Sequence, residues 1–351
     1  MACGSESAEA IFQKGAAALA SEDYQTAERS FQAVLKLEPR NVGAMGNLGV
    51  VYSRTRRFSE AINVYKRALR IAPADRFITM NLGLAYVRQE QYAEALPIFQ
   101  KLAAIPSNRQ ARELLATCRL ALGEYKSALA VLQPLLAAEP ANPGALYLLG
   151  VALTRLKRPD EAHEAFAKMM DAVSPAQANF LMGKASYETE RFAEAVDFFR
   201  KVLLFDPAFD GAHRELGKAL ISLNDDENAE KELRQASPDD FEALYFLGGL
   251  LARTRRAEAI PILEKASALS PDMWGPPYYL GRIYVDQGRI TQALSLLERA
   301  AKLNPDESAI QYQLGRALQK AGREADAKAA FARVTKIKNR PSRREQALTS
   351  P

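Results

Sequence analysis

The stretch Asn81–Phe99, NLGLAYVRQEQYAEALPIF, repeats the grammar of Asn47–Tyr65, NLGVVYSRTRRFSEAINVY, one repeat length of ~34 residues earlier. In the earlier copy Leu48, Gly49 and Tyr52 fall on one face of a helix, and Ala61, Tyr65 and Ala68 follow at i, i+4 and i+7 on a second. The two faces pack together. Gly49 and Ala61 are small where the paired helices approach closely, because a larger side chain would force the axes apart or overpack the contact. Pro73 then ends the unit by denying the next turn an N–H donor.

The same grammar returns as Leu82, Gly83, Tyr86, Ala95 and Phe99, and it closes the chain as Leu314, Gly315, Ala327, Phe331 and Val334. Self-comparison gives ten segments, beginning near Ala8, Val42, Arg76, Arg109, Pro143, Ala176, Asp210, Phe241, Trp274 and Ser308. A motif recurring along a whole chain at fixed spacing speaks of architecture, and repeats of this size mean a stacked solenoid. Every segment carries the 3.6-residue period and none carries strand alternation, so the fold is expected to be all-α.

At these residues the chain resembles the tetratricopeptide repeat (TPR) family, from roughly Ala8 to Arg340. The resemblance implies antiparallel helix pairs wound into a right-handed superhelix, with first helices lining a concave groove that binds proteins or peptides. The expected layout is a short N-terminal extension over 1–7, the repeat superhelix over 8–340 and a basic, disordered tail over 341–351.

Departures from the pattern carry their own expectations. Ala116 takes the glycine place of the fourth repeat, and Arg119 a place that is otherwise apolar or aromatic. The eighth repeat has a turn one residue short at Arg255-Arg256, without the aromatic seen at Phe58, Tyr92, Tyr125 and Phe192. The seventh ends early at QASPDD, so a bend or loosening is expected near 224–260. Pro97 and Pro261 are expected in the first turns of second helices, where a missing donor matters least, and Pro134 deeper, where it should kink its helix.

Composition sets the outer bounds. Of the 351 residues, 48% are hydrophobic and 25% charged, ordinary for a chain that buries a core. The most apolar stretch, Ala128–Leu153, is broken by Gln133, Pro134, Glu139, Pro140, Asn142 and Pro143, too often for a transmembrane helix. Cys3 and Cys118 are too few for a disulfide framework. The chain as it stands reads as cytoplasmic; were the true start upstream, Cys3-Gly4-Ser5 would suit an exported, lipid-anchored form. A net charge of +5, with signs interspersed, does not indicate blanket nucleic-acid binding. The exception is the cluster Lys336, Lys338, Arg340, Arg343 and Arg344 around Pro341.

Catalytic constellations are not found. His163 and His213 have no histidine or cysteine at ligand spacing, and Cys118 has no CxxC partner. The stretch GAHRELGKAL from Gly211 imitates a phosphate loop, yet it has five residues between its glycines and Ala219 where a magnesium-binding Ser or Thr belongs. GxGxxG, GxSxG and HExxH do not occur. No metal and no cofactor is therefore expected, and no enzyme activity. The acidic residues of SEDY, SEA and PDEA are expected to cap helices and to favour the positive end of the helix dipole.

On the groove side, Asn47 and Asn81 take equivalent places, with Gln13 in the unit before. This row resembles the asparagine ladder of family members that grip a peptide backbone, and an amide can donate and accept at once. Tyr147, Phe180, Tyr245, Tyr278 and Tyr312 recur at a neighbouring place, accompanied by Lys184, Arg214, Lys218, Arg253, Arg282 and Arg316. Aromatic area beside cationic heads suits a peptide with apolar and acidic residues; the other reading is packing against the next repeat. The carboxylate clamp of chaperone-binding members is matched only at Asn47. The leading expectation is a non-enzymatic scaffold holding an extended segment of a partner protein, with Asn47, Asn81, Tyr147, Phe180, Tyr245, Tyr278, Arg282, Tyr312 and Arg316 as contact residues. The alternative is a nucleic-acid or anionic-surface binder using the groove arginines and the basic tail.

Overall fold

The three residues that separate two helices of one repeat explain why the chain doubles back. After α1 (Ala8–Ala20) and α3 (Val42–Arg54) the chain places Glu22 and Arg56 at φ near +60°. The next amides, Asp23 N–H and Arg57 N–H, then reach back to the carbonyls of Ala18 and Tyr52 at 2.8 Å each. This is the six-residue closure that satisfies a helix C-terminus and turns the chain sharply. Glu90, Gly123, Lys157, Glu190, Asn224, Gly288 and Gly322 take the same left-handed conformation at the same place. The eighth repeat is the exception. Its turn lacks the left-handed residue and closes from Arg255 N–H to Leu251 O, one residue tighter.

In this computed structural model, which describes residues 7–105 and 107–339, the chain folds into twenty helices, and no strand occurs among the described residues. It divides into two compact units, Met1–Ala165 and Phe166–Pro351. The first holds α1, α2 (Tyr24–Leu37), α3, α4 (Phe58–Ile71), α5 (Arg76–Arg88), α6 (Tyr92–Ala103), α7 (Arg109–Ala121), α8 (Tyr125–Ala138) and α9 (Pro143–Arg155). The boundary falls within α10 (Pro159–Asp171). The second holds α11 (Pro175–Glu188), α12 (Phe192–Phe205), α13 (Ala212–Ser222), α14 (Asp226–Gln235), α15 (Phe241–Leu251), α16 (Arg256–Leu269), α17 (Gly275–Asp286), α18 (Ile290–Leu303), α19 (Ser308–Lys320) and α20 (Glu324–Lys338). Helix pairs begin within two residues of the expected repeat starts. Cys3 and the tail from Arg340 onward lie outside the described residues.

In eight of the pairs a ring or leucine of the second helix lies on a glycine of the first. A Cβ placed on Gly49 would sit 2.6 Å from Tyr65 Cζ, and one on Gly83 2.7 Å from Phe99 Cζ. Tyr65 and Phe99 are fully buried, and burial pushes the Tyr65 hydroxyl up to about 12. Repeat four differs: Ala116 takes the glycine place and shares one buried cluster with Leu132. Arg119 is also explained there. Tyr52 and Tyr284 carry the guanidinium groups of Arg57 and Arg289 over their rings at 4.3 and 3.9 Å, whereas at the equivalent places Arg119 pairs with Glu124 at 3.0 Å. The ring–cation contact has become an ion pair.

Capping corrects part of the sequence reading. Asp23 does cap α2, accepting from Thr26 N–H at 3.0 Å. Glu60 and Glu161, from SEA and PDEA, lie inside the first turns instead and bond the arginines that precede their helices, Arg57 and Arg158. First helices are capped by Asn41, Asp75, Asn108 and Asn142, whose side chains accept from the third helical amide at 2.8–3.1 Å. Asn41→Ala is expected to cost about 1 kcal/mol, read as a lower denaturation midpoint.

The prolines also need correction. Pro97 and Pro261 lie six residues into α6 and α16, not in their first turns. They are tolerated for another reason. Pro97, Pro134 and Pro261 are exposed, and so are Ala93, Ala130 and Ala257, whose carbonyls lose their helical donors and face water. The seventh repeat is short as expected: α14 spans ten residues and ends in the extended Ala236.

Candidate partner-binding faces

In the second unit the expected tyrosine stripe resolves into residues with different neighbours. Tyr245 lies against the first turn of α17: a Cβ on Gly275 would be 2.8 Å from its Cζ, and its ring centroid is 5.9 Å from that of Tyr279. Tyr279 returns the contact, since a Cβ on Gly249 would be 2.9 Å from its ring. This exchange of ring for glycine staples α15 to α17. Tyr278 is half-buried, 5.2 Å from Tyr279 and 6.0 Å from Trp274. Burial raises its hydroxyl pKa, and Arg282 beside it partly offsets the effect. Tyr312 is 50% exposed and lies 5.9 Å from Phe331. Phe180 packs between Phe199 and Phe209. Tyr147 belongs to the first unit and is buried.

The cations of the second unit are mostly committed. Arg214 pairs with Glu215, Asp240 and Glu242. Lys218 bonds Glu215 at 2.8 Å and lies 5.4 and 5.6 Å from the rings of Tyr187 and Phe246. Burial opposes the Glu215 carboxylate, but Lys218 and Arg214 hold its pKa below the ordinary range. Arg253 pairs with Asp226, and Arg316 with Asp286 and Gln313. Arg282 differs. It stacks 5.0 Å over the Tyr279 ring and has no carboxylate partner among the described residues.

Tyr279, Phe246 and Glu215 escaped the sequence reading. The signal for Tyr279 was present in Gly249, a residue without a side chain at the place where the neighbouring repeats carry Lys218 and Arg282; the ring fills that gap.

In the first unit Asn47 and Asn81 are half-buried on α3 and α5. The Asn81 amide donates to Phe77 O at 3.0 Å, while the Asn47 side chain has no hydrogen bond within the described residues. Elsewhere, burial pushes the Cys118 thiol up to about 11, which keeps it protonated and poorly nucleophilic near neutral pH. Among the described residues no three His, Cys, Asp or Glu side chains gather as a metal site, and no helix is long and apolar enough to cross a membrane.

Sequence profiles of the tetratricopeptide repeat match residues 12–76 and, for a second profile, 119–184, 186–248 and 284–349, which is over half of the chain. The chain is a tetratricopeptide repeat protein. A profile described as anaphase-promoting complex, cyclosome, subunit 3 matches residues 54–135 of this TPR array. No curated protein matches it. Among solved structures, a MamA RS-1 double mutant is 20% identical with a TM-score of 0.43, covering 51% of the TPR chain and 99% of its own. A crystal structure of MamA protein is 21% identical with a TM-score of 0.41, covering 50% and 96%.

Proposed function

We propose that this protein is a non-catalytic scaffold that holds an extended segment of a partner protein against the first helices of its repeats. The Tyr278–Tyr279–Arg282 cluster on α17 carries the reading. Two half-buried rings offer apolar area, and a guanidinium beside them lacks a carboxylate among the described residues. An acidic side chain of the partner completes it with a charge-assisted bond. The nucleic-acid reading is weaker, because Arg214, Lys218, Arg253 and Arg316 are already neutralised by neighbouring carboxylates.

The test is capture of partners by the full chain, followed by affinity measurement with the purified partner. Tyr278→Ala with Arg282→Ala is expected to weaken binding by about 30-fold or more, the effect of losing ~2 kcal/mol at an anchor, with helicity unchanged. Tyr245 is left intact because its ring seats α17 on α15. Unchanged affinity removes α17 from the interface. Retention of nucleic acid that collapses with salt, without any retained protein, replaces the proposal by its rival.

A further inference from the structure

Leu37 and Phe77 are the large hydrophobic side chains that the first unit leaves in solvent among the described residues, each 59% exposed. Packing accounts for neither. Leu37 ends α2 at the place that Ile71, Leu269 and Leu303 hold half-buried, and Phe77 is the second residue of α5, where α3, α7 and α9 carry Gly43, Gln110 and Gly144. Both sit at corners where one repeat passes to the next, α2–α3 and α4–α5, at one end of the helix pairs. The exposed Pro39, Pro73 and Ala74 form the tips of these corners.

The same corners concentrate cations. Lys36 and Arg40 flank Leu37, and Arg70 and Arg76 precede Phe77; all four are exposed, and none has an ion pair among the described residues. Lys66 and Arg67, exposed on α4 one turn before Arg70, also lack a carboxylate partner among the described residues, and Lys66 lies 5.3 Å from the Tyr86 ring. The two carboxylates of these corners are engaged locally: Glu38 accepts from the Asn41 amide at 2.8 Å and Asp75 from Ile78 N–H at 2.9 Å. The later corners of the unit differ, since Arg109 is paired there with Glu139.

We propose that this edge of the first unit docks on an anionic lipid surface, with Leu37 and Phe77 entering the boundary between headgroups and acyl chains and Lys36, Arg40, Arg70 and Arg76 meeting lipid phosphates. Interfacial binding combines buried apolar side chains with attraction between cations and anionic lipid. Long lysine and arginine stems lie along the apolar layer while their heads reach the headgroups. The shape of the edge chooses lipid over a macromolecule. Leu37 and Phe77 project from corners instead of lining a groove, so a protein partner would need a pocket for each, whereas a fluid bilayer admits protruding side chains one by one. Nucleic acid would use the cations, but an exposed leucine adds nothing to a phosphate contact. The inference goes beyond the scaffold reading and does not involve α17.

The probe is phosphatidylcholine vesicles containing about one third phosphatidylglycerol, beside pure phosphatidylcholine vesicles, with flotation of the full chain as the readout. Binding to the anionic vesicles is expected, little to the neutral ones, and it should weaken as salt rises. A cation at an anionic leaflet contributes about fivefold, so Lys36→Gln, Arg40→Gln, Arg70→Gln and Arg76→Gln together should weaken binding about a hundredfold or more. Leu37→Ser with Phe77→Ser should weaken it about tenfold. All six side chains are exposed, so both variants should keep their helicity. The Leu37→Trp variant reports insertion: its emission, above the background of Trp274, should be quenched by acyl chains brominated near the headgroup. Leu204→Ser with Phe205→Ser removes a more exposed apolar pair from the α12–α13 corner, where Asp206 and Asp210 stand, and should leave binding unchanged. Tyr278→Ala with Arg282→Ala should leave it unchanged too, so a loss of partner capture there bears on the scaffold reading alone. Equal binding to neutral vesicles, insensitivity to either edge variant, absence of quenching, or loss of binding in the Leu204→Ser, Phe205→Ser variant each overturns the proposal. Duplex DNA that displaces the vesicles would assign the cations to nucleic acid, and self-association abolished by Leu37→Ser with Phe77→Ser would assign the edge to a second copy of the chain; either result overturns it as well.

Discussion

Phe99→Ala is expected to destabilise the first unit by about 3–5 kcal/mol, the range for truncating a buried phenylalanine. The ring is fully buried in the largest cluster of that unit and lies on the backbone of Gly83. Its removal therefore opens a cavity between α5 and α6 that flanking helices, held by their own pair contacts, cannot collapse to fill. Repeats contact chiefly their neighbours, so the loss should be local. Amides of α5 and α6 should exchange far faster while those of α12 keep their protection. The glycine side of the contact supplies the complementary test. Gly83→Ala should cost about 1–3 kcal/mol by overpacking, reduced by up to about 1 kcal/mol from helix propensity. Adding Phe99→Leu should restore part of that loss, because Ala116 over Leu132 already fills the same place in repeat four. Unchanged exchange in Phe99→Ala would mean that the ring–glycine contact does not hold the pair together.

These pair contacts were readable because both partners sit at a fixed place in a repeating frame: Gly49 and Tyr65, like Gly83 and Phe99, are separated by the same distance along the chain. Side chains whose partners come from another repeat were not readable in this way. Arg214 and Lys218 look like free groove cations, yet Asp240 and Glu242 reach Arg214 from the start of α15, and Glu215 stands between the two cations. Tyr245 and Tyr278 occupy one place in the repeat, yet the first lies on Gly275 and the second does not, because glycine recurs at that place in only some repeats. Pro97 and Pro261 were misplaced by a turn because the turn closure, left-handed before α6 and one residue tighter before α16, decides where a second helix starts. On α3 and α5 the amides Asn47 and Asn81 stood out in the pattern, while the bond that commits the Asn81 amide to Phe77 O required the surroundings to be known.

That same closure carries a stabilising prediction. Glu22, Glu90 and Lys157 are exposed side chains held at φ of 60°, 58° and 59°. Left-handed backbone costs an L-residue with a Cβ roughly 1–2 kcal/mol, whereas glycine adopts it freely and loses about 0.5–1 kcal/mol through its more flexible unfolded chain. The net gain for replacement by glycine is about 0.5–1 kcal/mol at each site. The triple variant Glu22→Gly, Glu90→Gly and Lys157→Gly should thus gain about 1.5–3 kcal/mol, less any small surface interaction surrendered by these charges, and melt several degrees higher. Asn224→Gly should change little, because asparagine visits this conformation readily. The reverse substitution isolates the cause. Gly123 has φ +80° and nothing within 4 Å of where a Cβ would lie, so Gly123→Ala meets no steric obstacle and any loss is conformational; about 1 kcal/mol is expected. A triple variant that melts no higher than the parent, together with a neutral Gly123→Ala, would show that these turns do not hold the left-handed conformation in solution, and the six-residue closure would then lose its place as the device that folds each second helix onto the first.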